Sequence, residues 1–143
     1  MGYPPERTEP LRRELIDLGA RDLRTAEEVE TLLRHEKGSV LLFVNSVCGC
    51  AAAAARPGLA LALQHQVKPP VVATVFAGVD HEATQQARSH FAGYPPSSPQ
   101  IALFREGKLV QLIQRKEIEG RDASTVAQTL TEAFDRYCAP SVG

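Results

Sequence analysis

The chain has no block of like charge, no apolar segment of membrane length and no second pair of neighbouring cysteines. Its 16 Lys and Arg against 17 Asp and Glu leave a formal charge of −1 at pH 7. Such a surface carries no electrostatic footprint for nucleic acid or an anionic membrane. The longest apolar run falls far short of the ~20 residues that cross a bilayer. Met1-Gly2-Tyr3-Pro4-Pro5-Glu6-Arg7 lacks the apolar core of a signal peptide, and Glu6 stands where a myristoylation motif carries Ser or Thr. The expected location is the cytoplasm. Thiols are kept reduced there, so a close cysteine pair points to catalysis or metal binding rather than a permanent cross-link.

What is present is an ordinary globular composition, 43% hydrophobic and 23% charged over 143 residues. That length fits one domain able to bury roughly two-thirds of its unfolded surface. Residues 1–9, rich in proline and charge, read as a flexible tail, 10–138 as the domain and 139–143 as a second tail. Leu11, Leu15 and Leu18 predict a short amphipathic helix from Pro10, stopped by Gly19. Thr25-Ala26-Glu27-Glu28 is a capping box opening a second helix with Val29, Leu32 and Leu33 on one face. Ser39–Asn45 is apolar throughout its middle, as a strand buried on both faces should be.

Cys48-Gly49-Cys50 and five alanines come next. The pattern predicts a strand, a loop bearing two thiols, and a helix to about Gln66 that Pro57 bends. Val71–Ala77 reads as a second buried strand, and Asp80 as the cap of a helix over 81–92. The loop Tyr94–Pro99 leads into a third strand, 100–104. A turn at 105–108 and an antiparallel return over 109–114 follow. A polar stretch, 115–121, precedes a last helix from Asp122 to Tyr137. A strand–helix–strand crossover, a hairpin and a closing helix make an α/β protein with a mixed sheet of about four strands, helices on both faces. That order matches a thioredoxin-like fold. It sets the thiols at the carboxyl end of a central strand, where ligand sites of open α/β sheets gather.

Cysteines at i and i+2 join only in a compact turn, with Cα atoms roughly 4.4–6.8 Å apart. Gly49 eases such a turn because it tolerates positive φ. The small ring is strained and so readily reduced, which suits a pair that cycles between thiols and disulfide. Cys48, in the loop at a helix start, is the candidate nucleophile of lowered pKa, and Cys50 the resolving thiol. The alternatives are two packed cysteines without chemistry, or a metal site. A closed metal site needs about four ligands, so it would have to recruit Cys138, a histidine or a second subunit.

Pro99 is the next candidate. In a thioredoxin-like architecture the Ser98-Pro99 loop faces the thiols, and a cis proline there presents backbone to a bound substrate chain. The plainer account is a stiff loop of Pro95, Pro96 and Pro99, since few X–Pro bonds are cis. Gly49, Ser98 and Pro99 are the candidate substrate contacts. Cys138 reads as a helix end or a third redox thiol. His35, His65, His81 and His90 share no ligand spacing and read as solvated. Glu117, Glu119 and Arg121 read as a solvated turn, or as a loop that orients a thiol substrate. Arg56 either stabilises an anion near the helix start or lies on the surface.

Asn45-Ser46-Val47-Cys48-Gly49-Cys50-Ala51-Ala52 with Ala55-Arg56-Pro57 resembles the active-site signature of the bacilliredoxins. Val75-Phe76-Ala77-Gly78 with Asp80, Pro96-Ser97-Ser98-Pro99 with Ile101-Ala102-Leu103, Ile118-Glu119-Gly120, and Ala133-Phe134-Asp135 with Cys138 are similar to that family too. The likeness runs from about residue 10 to 138. The alanine run and Lys116, where the family tends to carry histidine, depart from it. The resemblance implies a thioredoxin-like fold and removal of bacillithiol from protein mixed disulfides. Cys48 would take the bacillithiol and Cys50 would release it. No tightly bound cofactor is implied, only bacillithiol as co-substrate and bacillithiolated client proteins as partners. A general disulfide reductase or isomerase, or a metal or iron–sulfur carrier, are the alternatives.

Overall fold

Every residue of the strand Ser39–Asn45 is buried, and the rest of the protein is arranged around it. The computed structural model describes residues 3–138. In chain order the elements are α1 (Pro5–Ile16), β1 (Arg21–Asp22), α2 (Ala26–His35), β2 (Ser39–Asn45), a π-helical turn (Ala51–Ala55), α3 (Arg56–Ala62), β3 (Val71–Phe76) and α4 (His81–Ser89). The hairpin β4 (Gln100–Arg105) and β5 (Lys108–Ile113), then α5 (Arg115–Ile118) and α6 (Ala123–Tyr137), complete the domain. The sheet order is β1-β3-β2-β4-β5, with β1, β3 and β2 parallel and β4 and β5 antiparallel to their neighbours.

The pleat sorts the core into two layers. Leu41, Phe43, Ile101 and Leu103 face Leu15, Leu59, Val126, Leu130 and Phe134, from α1, α3 and α6. Val40, Leu42, Val44, Val75 and Phe104 face Val29, Leu33, Ala83 and Ala87, from α2 and α4. Both faces of β2 are thereby dry, so the chain can leave the sheet only at its end, where the thiols are. Helices α3 and α6 approach closely at Gly58: a Cβ there would lie 2.7 Å from Val126 Cγ1. The hairpin turns through Glu106 (φ 54°) and Gly107 (φ 76°), the paired positive φ that matches strand twist.

Several elements differ from the sequence reading. The first helix begins at Pro5 rather than Pro10, with the fixed proline φ suited to a first turn. Residues 1–2 and the C-terminal tail 139–143 lie outside the described residues. The sheet has five strands rather than four: β1 is two residues long, too short for any periodicity to show. Residues 115–118 form a helical turn pinned by buried Ile118. Asp80 does not cap α4 with its side chain. Its carboxylate instead receives both terminal nitrogens of Arg12, at 2.7 and 3.0 Å, and Asp22 accepts from the same guanidinium at 3.1 Å. Arg12 is buried, so pairing with two carboxylates outweighs a cap exposed to water.

Candidate active site

Strand β2 delivers Asn45, Ser46 and Val47 to the turn, and the first two are tied down from behind. Arg56 Nη1 donates to Asn45 Oδ1 at 3.0 Å and to the Ser46 carbonyl at 2.9 Å, while Arg56 Nε donates to Glu14 at 3.2 Å. Asn45 Oδ1 also accepts the Ser46 N–H at 2.9 Å, and Asn45 Nδ2 donates to the Leu11 carbonyl at 3.2 Å. Arg56 is 3% exposed. It is thus neither a surface residue nor a partner of a thiolate; it clamps the segment that carries Cys48. The Cys48 N–H in turn donates to Ser46 Oγ at 3.1 Å.

Beyond this clamp the two sulfurs stand 2.8 Å apart, both as free thiols, each partly open to solvent. They are unequal. For Cys48 burial opposes ionisation. Hydrogen bonds to its sulfur from Cys50, the Ala51 N–H, the Ser46 hydroxyl and the Cys50 N–H outweigh that burial and bring the pKa below the ordinary thiol value. For Cys50 burial, the bond it gives to Cys48 and the charge on Cys48 all favour the thiol, pushing its pKa up to about 11. The proton between the sulfurs therefore belongs to Cys50. Gly49 is exposed and stays out of the positive-φ region, so the turn needs no left-handed residue there. A Cβ at Gly49 would meet nothing within 4 Å, so the glycine leaves open space over the thiols.

Across that space runs the loop before β4. The Ser98–Pro99 peptide bond is cis, and the Ser98 carbonyl lies 3.8 Å from Cys48 Sγ. Arg88 braces the loop, donating to the Ser97 carbonyl at 2.6 Å and to Gln100 Oε1 at 3.3 Å. Arg115 closes the other side: Nη1 donates to the Ser98 carbonyl at 3.4 Å and Nη2 to Glu119 at 3.1 Å. The structure therefore brings Cys48, Gly49, Cys50, Ser98 and Pro99 together. It adds Ser46, Arg56 and Arg115, whose roles the sequence reading missed. Arg115 left no such signal in the sequence: a register shift between Leu103 and Phe104 pairs Ile101 with Ile113, and only that shift sets position 115 opposite position 99.

Other candidates lie elsewhere. Cys138 packs at the end of α6 beside Ser39, the first residue of β2, and burial raises its pKa. The thiol turn follows the last residue of that strand, about 20 Å away at the usual rise per residue. His65 pairs with Asp135 at 2.9 Å and His90 with Glu30 at 3.0 Å, so these two are partnered rather than merely solvated. His35 and His81 are exposed. Among the described residues no group of three or more His, Cys, Asp or Glu could hold a metal ion, and no helix is long and apolar enough to cross a membrane.

An unequal dithiol at the end of a central strand, facing a cis-proline loop, defines a thiol–disulfide oxidoreductase of thioredoxin-like fold. Solved structures agree on the fold. A putative oxidoreductase with a thioredoxin fold superposes with a TM-score of 0.59 at 17% identity, covering 76% of this chain and 91% of its own. A mutant thioredoxin from Halobacterium salinarum gives 0.58 at 16%, covering 86% and 94%. The family model described as disulphide isomerase matches residues 3–138. Curated relatives named bacilliredoxin are much nearer in sequence. That of Koribacter versatilis is 49% identical over 141 residues, covering 99% of this chain and 97% of its own. That of Symbiobacterium thermophilum is 54% identical over 123 residues, covering 86% and 87%. The chain belongs to the bacilliredoxin family.

Proposed function

We propose that this oxidoreductase removes bacillithiol from cytoplasmic proteins that carry it as a mixed disulfide. The Cys48 thiolate attacks the bacillithiol sulfur, forming a Cys48–bacillithiol disulfide and releasing the client thiolate, which takes a proton from solvent. Cys50 then attacks the Cys48 sulfur, losing its proton as bacillithiol leaves, and a Cys48–Cys50 disulfide results. A dithiol or thiol reductant from the cell returns that pair to the reduced form, with two electrons and two protons. Gly49 gives the mixed disulfide room, and the Ser98-Pro99 backbone lies alongside it. The observation that carries this reading is the 2.8 Å sulfur pair, in which Cys48 is the more acidic thiol. The preference for bacillithiol rests on the family name its relatives bear.

The test uses one client protein bearing a single bacillithiolated cysteine. Cys48→Ser should abolish release of the client, and Cys50→Ser should release one equivalent and retain bacillithiol on Cys48, seen by mass spectrometry. Full turnover by the Cys48→Ser protein would overturn the reading. A second reading, a general disulfide reductase or isomerase, is favoured by the description of the matched family model. Equal rates on bacillithiol and glutathione adducts of the same client, or repair of scrambled disulfides, would support it instead.

A further inference from the structure

Beside the thiols, between the cis-proline loop and α5, lies a groove of about 270 Å³ lined by Pro95, Ser97, Gln114, Arg115, Lys116 and Glu119. Three observations give it a sign. Arg115 and Lys116 outnumber the single carboxylate, Glu119, among the lining residues. Arg88, directly behind, spends its bonds on the neutral Ser97 carbonyl and Gln100 side chain, so its charge is not cancelled by them. The Ser97 hydroxyl oxygen is buried without a hydrogen-bond partner, an unspent donor on a residue that lines the groove. The groove also adjoins the chemistry, because one carbonyl, that of Ser98, separates the Arg115 guanidinium from Cys48 Sγ.

We propose that this groove receives the small-molecule half of the mixed disulfide and holds a carboxylate of it between Arg115 and Lys116, with the Ser97 side chain turning its hydroxyl inward as a further donor. The inference rests on the thiol-exchange reading above and adds a charge requirement to it. An Arg115–Glu119 pair at the surface is weak, so an incoming carboxylate can share the guanidinium, which has five N–H donors in a planar fork. Arg115 is then a substrate-binding residue that orients the disulfide for attack by Cys48. The groove lies one carbonyl away from the attacking sulfur, within reach of the group joined to the sulfur under attack, and so the carboxylate is assigned to the low-molecular-weight thiol. A carboxylate of the client protein is the other source of the same chemistry.

The test holds the client constant and varies only the adduct. One single-cysteine protein is modified in turn with thioglycolate (anionic), mercaptoethanol (neutral) and cysteamine (cationic). Removal by the full chain is timed, and each rate is divided by that with free dithiothreitol. The wild type should favour the anionic over the neutral adduct by about fivefold, the scale of a charge-assisted contact in partial solvent, and disfavour the cationic one. Arg115→Gln should bring the anionic-to-neutral ratio close to one, Lys116→Gln should lower it, and Arg115→Lys should retain part of it. Equal normalised rates on all three adducts, or a ratio unmoved by Arg115→Gln, would overturn the proposal. Equal rates that Arg115→Gln lowers together would overturn it too, and would assign the carboxylate to the client. Failure to remove any adduct would instead break the thiol-exchange reading, and this proposal with it.

Discussion

Cys50 Sγ sits 2.8 Å from Cys48 Sγ and holds the proton that Cys48 gives up. The donor to Cys48 is thus the resolving thiol itself. Cys50→Ala removes that donor and leaves only the Ala51 and residue-50 N–H groups and the Ser46 hydroxyl, so the Cys48 pKa should rise. Its alkylation rate at pH 7 should fall, because less of it is thiolate. Cys50→Ser keeps a hydroxyl donor and should fall less. Iodoacetamide trapping at several pH values reads both.

Ser46 and Arg56 make the thiol turn stiff. Removing the guanidinium in Arg56→Met leaves Asn45 Oδ1 and the Ser46 carbonyl buried and short of a donor, and leaves Glu14 unpaired. The expected cost is about 2–4 kcal/mol in urea unfolding. Client release should slow as well, since Ser46 positions Cys48.

Arg12 holds together three segments distant in sequence, through Asp22 and Asp80, with its guanidinium 5.2 Å from the Phe76 ring centre. Arg12→Met leaves Asp80 without its guanidinium in a largely buried setting, while Asp22 keeps Arg24 at 2.7 Å, and should cost about 3–5 kcal/mol. Combining Arg12→Met with Asp80→Asn should cost less than the sum of the two single changes, since the two residues share one contact. Strictly additive losses in urea unfolding would refute the pairing account.

Much of this was legible beforehand, where local chemistry decides. Ser39–Asn45 stood out because a strand dry on both faces must be apolar, and Thr25 with Glu28 forms the capping box its spacing announces. The thiol turn was legible because few residue pairs other than Cys48 and Cys50 bring two sulfurs to a helix start. What stayed hidden depends on partners distant in sequence. Asp80 reads as a cap until Arg12, 68 residues away, is seen to claim it. Gly58 says nothing by itself in the sequence, and only the fold shows Val126 of α6 filling the space a Cβ would need. Arg56 lies in the family signature, but its place beneath Asn45 and Ser46 comes from packing against α1. The alanines at 51–55 read as ordinary helix. Nothing in five identical side chains distinguishes a π-helical turn from an α-helical one.

The distance from the thiols to Cys138 sets a further expectation. Cys138→Ser should leave client release at the wild-type rate, because that sulfur lies beside Ser39 at the far end of β2. A loss of more than about threefold would mean the third thiol enters the cycle, against the geometry.

The central claim is the division of one proton between two sulfurs, and site-resolved alkylation of the reduced protein across pH tests it most directly. Peptide mass spectrometry should show Cys48 reacting with a midpoint below the ordinary thiol value of about 8.5. In a brief pulse that labels at most one thiol per molecule, so that the Cys48 charge is still in place, Cys50 should stay protected until the pH nears 11. Coincident midpoints for the two thiols, or a Cys48 midpoint above about 8.5, would contradict the account.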